Sequence, residues 1–285
     1  MSLARQIPPR LTAVPRVVPL DRTYWGLRSP DVTTDPLESA RKLDKVLPAN
    51  AFYTHTTAAR ILGIPLPPRL DNDPRTHATL AAPGRVSRTR NIIGHGLKMR
   101  LGDLVTIDRV LVTGPERTWC DLGGFLSLPE LVAAGDYLVH WQNPFTTPFR
   151  LACAIERLPN RRYVRILRTA IPYLSDRTDS PPESIVQVIL AAGGFPAAVV
   201  TRAISDTYGE FVAHTDFLIE ELGLLLHYRS ANVRSATDDP YEGLPQDDGQ
   251  SRHPLVMELD ADDLRDPGAL IDRIWNYVRT RRAFG

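Results

Sequence analysis

Acidic side chains and one histidine in the last third of the chain are the residues whose types could do metal-assisted chemistry: Asp216, Glu220, Glu221 and His227. Asp216 sits in one extended run and His227 in the next. Residues i and i+2 of a strand share a face, so an acid and its partner can converge on one ion that lowers the pKa of bound water and neutralises a phosphate. His227 suits a softer metal than Mg²⁺, which prefers oxygen ligands. Arg229, two positions on, can pair with phosphate but keeps its proton and is no general base. The structural alternative, preferred here, makes Glu220 and Glu221 solvated turn residues and His227 a satisfied strand histidine. Glu183 closes Ser180-Pro181-Pro182-Glu183, a capping box with proline at the first helical position, and capping accounts for it without catalysis.

A second chemistry is carried by arginine. Arg85, Arg88, Arg90, Lys98 and Arg100 follow one another with no acid between them, and Arg161, Arg165 and Arg168 recur at helical spacing. Such stripes track phosphates and make binding salt-dependent, although an isolated charge run is more often a solvated face. Cys120 and Cys153 belong to no Cys-x-x-Cys or Cys/His cluster and read as packing residues without chemistry. Neither a Ser/His/Asp elbow, a Gly-rich phosphate loop nor an H-E-x-x-H motif is present.

The elements that must position these residues are short. Residues 1–36 are Pro-rich, with one extended piece at 24–30. Leu37, Ala40, Leu43 and Val46 predict a helix ending at Leu47-Pro48, and a second runs from near Thr54 to Leu62, stopped by Gly63 with Pro65 beyond. Short β runs follow at 77–80, 92–93 and 104–107. Helices are expected over 115–121, over 128–139 with Ser127 and Glu130 as cap and partner, and over 149–167 with a break at 158–160. The polar run 175–179 reads as a linker. Beyond it come a helix from 180 to Gly193, strands at 198–204, 210–219 and 224–228, an acidic loop at 236–250 without Lys or Arg, a strand at 254–259 and a helix at 266–281. The expected fold class is α+β: a small α/β front region over 37–174, then an αβββ-βα unit over 180–285.

That last order, with Ser180-Pro181-Pro182-Glu183-Ser184, Asp216-Phe217, the strand 224–228 and Leu255 to Leu264 leading into the last helix, resembles the very-short-patch-repair-like branch of the PD-(D/E)XK nucleases. The resemblance implies a restriction-endonuclease-like fold in which Asp216 binds Mg²⁺ or Mn²⁺ and Glu183 reaches the same metal. By position, the family's second carboxylate falls at His227 and its third catalytic residue at Arg229, and neither is the family's residue, so the site reads as degenerate. The front resembles AbiEi-type antitoxin and regulator proteins through Leu47-Pro48, Thr54 to Ala59, Leu62 to Pro67, Val112 to Asp121 and Ala133 to Leu138. Those relatives begin with a winged helix that reads DNA, and the stretch before Tyr24 is too short and Pro-rich to hold a full one.

Composition narrows the functional classes. The chain has 285 residues, 43 % hydrophobic, 25 prolines and a net charge of +1, which suits two domains of short elements rather than a long bundle. Its start lacks a signal-like apolar run, and no stretch is apolar enough to span a bilayer, so a cytoplasmic protein without a membrane partner is expected. The leading expectation is a nucleic-acid-associated regulatory or antitoxin and defence-type protein with a non-catalytic endonuclease-like domain, no required cofactor, and DNA or a protein as partner. Its DNA-contacting residues would be Arg88, Arg90, Arg161, Arg165, Arg168 and Arg229. One alternative is a Mg²⁺- or Mn²⁺-dependent endonuclease using Asp216, Glu183 and His227. The other is a protein-interaction module in phage defence or counter-defence that uses the acidic loop.

Overall fold

The structure, a computed structural model, describes residues 35–45, 47–81, 83–84, 86, 91–100, 102–158, 163–178, 180–201, 204–205, 211–212, 216–228 and 255–283. The Pro-rich start and the acidic stretch 236–250 lie outside the described residues. The chain is a mixed α+β protein that divides into two compact units, Met1–Pro181 and Pro182–Gly285.

In the first unit the elements are α1 (Pro36–Leu43), β1 (Phe52–Tyr53), α2 (His55–Leu62), α3 (Pro68–Asp71), β2 (Thr76–Ala81), β3 (Ile92–Leu97), β4 (Leu104–Ile107), β5 (Val110–Thr113), α4 (Pro115–Leu122), α5 (Leu128–Val139), α6 (Pro148–Glu156) and α7 (Val164–Ala170). Local chemistry sets most boundaries. The Asp35 carboxylate accepts the Leu37 N–H at 3.1 Å to open α1. Gly63 ends α2 in the left-handed region at φ 75°, and the following Ile64 N–H donates to the Ala59 carbonyl at 2.9 Å. Ser127 and Glu130 form the capping box of α5 in both directions.

The sheet of this unit has the order β3-β2-β1-β5-β4. β1 runs antiparallel to β2 and parallel to β5, while β2 and β3 are parallel and β4 and β5 form a hairpin. That hairpin turns through Asp108 at φ 46° and Arg109 at φ 70°, the mirror-image turn geometry that suits strand twist. Ala40, Tyr53, Ala58, Val110 and Val112 form one buried cluster between α1, α2 and the sheet. Among the helices, Trp119, Leu122, Leu131, Leu138, Leu151 and Leu167 are fully buried. The Trp119 indole N–H donates to the Leu131 carbonyl at 2.9 Å, and a side chain at Gly135 would press into Leu174 and Trp119. Glycine in mid-helix costs about 1 kcal/mol in propensity. Here it lets α5 approach its neighbours closely.

The polar run 175–178, expected as a linker, is fastened to the first unit. Asp136, 2 % exposed, accepts the Ser175 N–H at 2.8 Å and the Thr178 hydroxyl at 3.0 Å. The Trp141 N–H donates to the Asp176 carbonyl at 3.1 Å, and the Arg177 guanidinium lies 5.3 Å from the centre of the Trp141 ring.

The second unit contains α8 (Pro181–Ala192), β6 (Val199–Thr201), β7 (Ile204–Ser205), β8 (Phe211–Val212), β9 (Asp216–Ile219), β10 (Leu224–Tyr228), β11 (Leu255–Leu259) and α9 (Pro267–Ala283). Each of the two longer strands expected over 198–204 and 210–219 is described in two pieces, and β7 pairs antiparallel with β8 apart from the main sheet. The main sheet has the order β11-β10-β9-β6, with β9 antiparallel to both neighbours and β11 parallel to β10. All five residues of β10 are buried. Phe217, Ile219, Leu224, Leu226 and Leu259 pack with Val186, Ile189 and Leu190 of α8 and Leu270, Ile274 and Val278 of α9.

Replacing Asp136 by alanine leaves the half-buried Ser175 amide and the buried Thr178 hydroxyl without their acceptor. The expected loss is about 2 kcal/mol of unfolding free energy for the first unit, read by urea denaturation. An unchanged midpoint would show that the 175–178 segment contributes nothing to its stability.

Candidate functional site

Two of the residues expected to carry metal chemistry in the second unit, Asp216 and His227, fall on one line across its sheet. Thr201 of β6 pairs with Asp216 of β9, Asp216 with His227 of β10, and His227 with Glu258 of β11. Directly opposed positions on neighbouring strands share a sheet face. His227 is 7 % exposed and Glu258 is exposed. Glu183 stands in the first turn of α8 and is 5 % exposed, deeper than a solvated cap would be. Glu220 and Glu221 share a single 3-10 turn between β9 and β10. The register thus pairs the backbone positions of Asp216 and His227, and a carboxylate with an imidazole is a poor donor set for Mg²⁺.

Of the expected cationic residues, Arg88, Arg90, Arg161 and Arg229 lie outside the described residues. Arg165 and Arg168 are exposed on α7, and Arg168 is ion-paired with Glu156 at 2.6 Å. Arg117, inside the motif that carries the AbiEi resemblance, is buried: it donates to Asp121 at 2.9 Å and to the Lys98 carbonyl at 3.2 Å, with Asp103 at 3.4 Å. Burial raises the Asp121 carboxyl to about 6 against the pull of Arg117. This polar string therefore ties α4 to the segment before β4. Burial also pushes the Cys120 thiol far up, in keeping with a packing role.

The first unit contains a cluster that residue spacing does not announce. His55 opens α2, His77 lies on β2 and His95 on β3. His95 pairs in register with Thr79, two residues from His77, so the parallel strands put both histidines on one face. The His77 Nδ1 and His95 Nε2 atoms are 3.0 Å apart, and the His55 ring stacks on His95 with centroids 4.3 Å apart. Phe125 stands edge-on to His55 and His77, 5.4 Å from each. His55 Nδ1 lies 2.8 Å from the Thr54 hydroxyl, which lies 2.9 Å from the Thr79 hydroxyl. His55 holds φ 51°, a left-handed conformation that costs a non-glycine residue roughly 1 kcal/mol.

His55 and His77 are kept neutral. Burial, reinforced by His95, His77 and Arg117, lowers the His55 pKa well below the ordinary value. For His77, burial and His95 bring it to about 4, with Asp73 opposing and Arg60 and Arg75 assisting. The signal available in the sequence was His77 and His95 in the short-strand region with His55 at the helix start before it, and only the strand order turns that into a cluster. No family model, curated protein or solved structure matches the chain.

Because the folded pKa values are depressed, the unfolded chain binds more protons below about 6.5 and the native state fewer. Stability contributed by these neutral rings is complete above that pH and is lost as pH falls toward about 4. Thermal melts of the first unit should drop between pH 7 and pH 5, and His77→Gln should flatten the drop. A pH-independent melt, or an equal drop in the variant, would contradict the assignment.

Proposed function

We propose that this chain is a nucleic-acid-associated regulatory protein of the antitoxin or defence kind, carrying a degenerate, non-catalytic endonuclease-like second unit. The observation that carries the reading is the line across the second sheet: the neighbour of Asp216 in register is His227, where phosphodiester hydrolysis at Mg²⁺ calls for a further carboxylate oxygen. The reading is supported by a unit in which helices α8 and α9 pack on a four-stranded sheet around a buried core, with a residue pair in register whose types are unsuited to that ion. Affinity for DNA then rests on arginine, with Arg165 exposed on α7. The endonuclease alternative draws on the same line, through Asp216, His227 and the neighbouring Glu258, together with Glu183.

One experiment separates the two. Purified protein is incubated with supercoiled and single-stranded DNA in Mg²⁺ and in Mn²⁺, with Asp216→Ala alongside, and no nicking is expected from either. Nicking that disappears in the variant would make the protein a nuclease. In parallel, duplex binding should weaken steeply with salt, and neutralising Arg161, Arg165 and Arg168 together should lower the log–log salt slope by about 2 to 3. Asp216→Asn should bind as well as the parent or better. Absence of DNA binding, with a protein partner captured through residues 236–250, would replace the reading by an interaction module.

A further inference from the structure

We propose that His55, His77 and His95 bind a single divalent ion of the Zn²⁺ class through three imidazoles, with one coordination position left for water or another small ligand. This site stands apart from the line across the second unit and from the nucleic-acid reading.

Geometry carries the assignment. One ligand atom from each ring lies within 4.8 Å of the other two. Around a tetrahedral ion with Zn–N bonds of about 2.0 Å, neighbouring nitrogens are about 3.3 Å apart, so the 3.0 Å between His77 and His95 already matches a shared ion. Imidazoles select Zn²⁺, Co²⁺, Ni²⁺ and Cu²⁺ over Mg²⁺ and Ca²⁺. Among the described residues, the group holds these three side chains and no carboxylate or thiol. Three protein ligands and an open position form the pattern of zinc sites that exchange a ligand.

The surroundings support the same ion. With the Thr54 hydroxyl accepting at Nδ1 and backed by Thr79, His55 presents Nε2 as its ligand atom. Such outer hydrogen bonds fix the tautomer of a metal-binding histidine. The Thr54 N–H donates to the His77 carbonyl at 3.2 Å and the His77 N–H to the Thr57 hydroxyl at 2.9 Å, so the start of α2 is locked to β2. Phe125 walls one side of the rings. An N–H···N hydrogen bond between two neutral imidazoles would account for His77 and His95 without an ion. It would leave unexplained a third ring, on a residue held in the left-handed region, brought to the same point.

The test uses the untagged full chain, stripped with a chelator and titrated calorimetrically with Zn²⁺ and then Co²⁺. The expected result is one ion per chain and an intense visible Co²⁺ spectrum of low coordination number. His95→Gln, at the least buried of the three positions, should weaken binding roughly 100-fold while far-ultraviolet circular dichroism stays unchanged. X-ray absorption of the Zn²⁺-loaded parent should show three imidazole nitrogens at about 2.0 Å, and this readout decides the matter if the variant fails to fold. No saturable binding, binding unchanged in folded His95→Gln, or fewer than three imidazoles around the ion would overturn the proposal.

Discussion

Backbone groups in the middle of a sheet must find partners on both sides, and in the first unit two residues meet that demand. Phe52 and Tyr53, 2 % and 1 % exposed, pair with β2 on one side, and Tyr53 pairs with Val112 of β5 on the other, so the antiparallel and parallel halves of the sheet meet on β1. The Tyr53 hydroxyl reaches the Ala40 carbonyl at 2.7 Å and the Asp44 carboxylate at 2.8 Å, anchoring α1 to the same point. The chain then passes through the buried Thr54 directly into His55. The left-handed backbone at His55, the Thr54–Thr79 hydroxyl pair and the three stacked rings all follow from how β1 hands the chain to α2.

Much of the fold was legible because local signals agree with the tertiary outcome. The start of α5 follows from Ser127 and Glu130 and the end of α2 from Gly63. β1 was not legible, since two residues are too few to show alternation, and its place is set by burial on both faces. The β4–β5 turn uses Asp108 and Arg109 in place of the glycine that would announce it. In the second unit the candidates Asp216 and His227 could be chosen from the sequence. Glu258 as the next residue in line could not, because the register of a parallel pair is not written in either strand. The histidine cluster was missed for the same reason: His77 and His95 become neighbours only once β2 and β3 pair in parallel.

Charge was the harder quantity to read. Within the helix expected over 115–121, Arg117 and Asp121 are each 8 % exposed at the side chain and bonded to one another. Taking such a pair from water is costly unless its remaining donors are met, and the Lys98 carbonyl and Asp103 meet them. Conversely, the Arg165 and Arg168 stripe is solvated as helical spacing implies, but Glu156 already answers one of its two cations. Counting arginines therefore says less about a surface than knowing which acids the fold delivers to them.

The strand order of the first unit also has a temporal side. The three histidines and the strands β1, β2 and β3 all precede β4 in the chain, whereas the parallel pairing of Tyr53 with Val112 waits for β5. Domains emerge from the ribosome N-terminus first, at roughly 5–20 residues per second, and non-local pairings carry the larger entropic cost of closure. During synthesis the imidazole cluster can gather while one edge of β1 is still bare. Capping that edge with the β4–β5 hairpin is then the step that completes the sheet, and until it happens β1 stands as a bare edge.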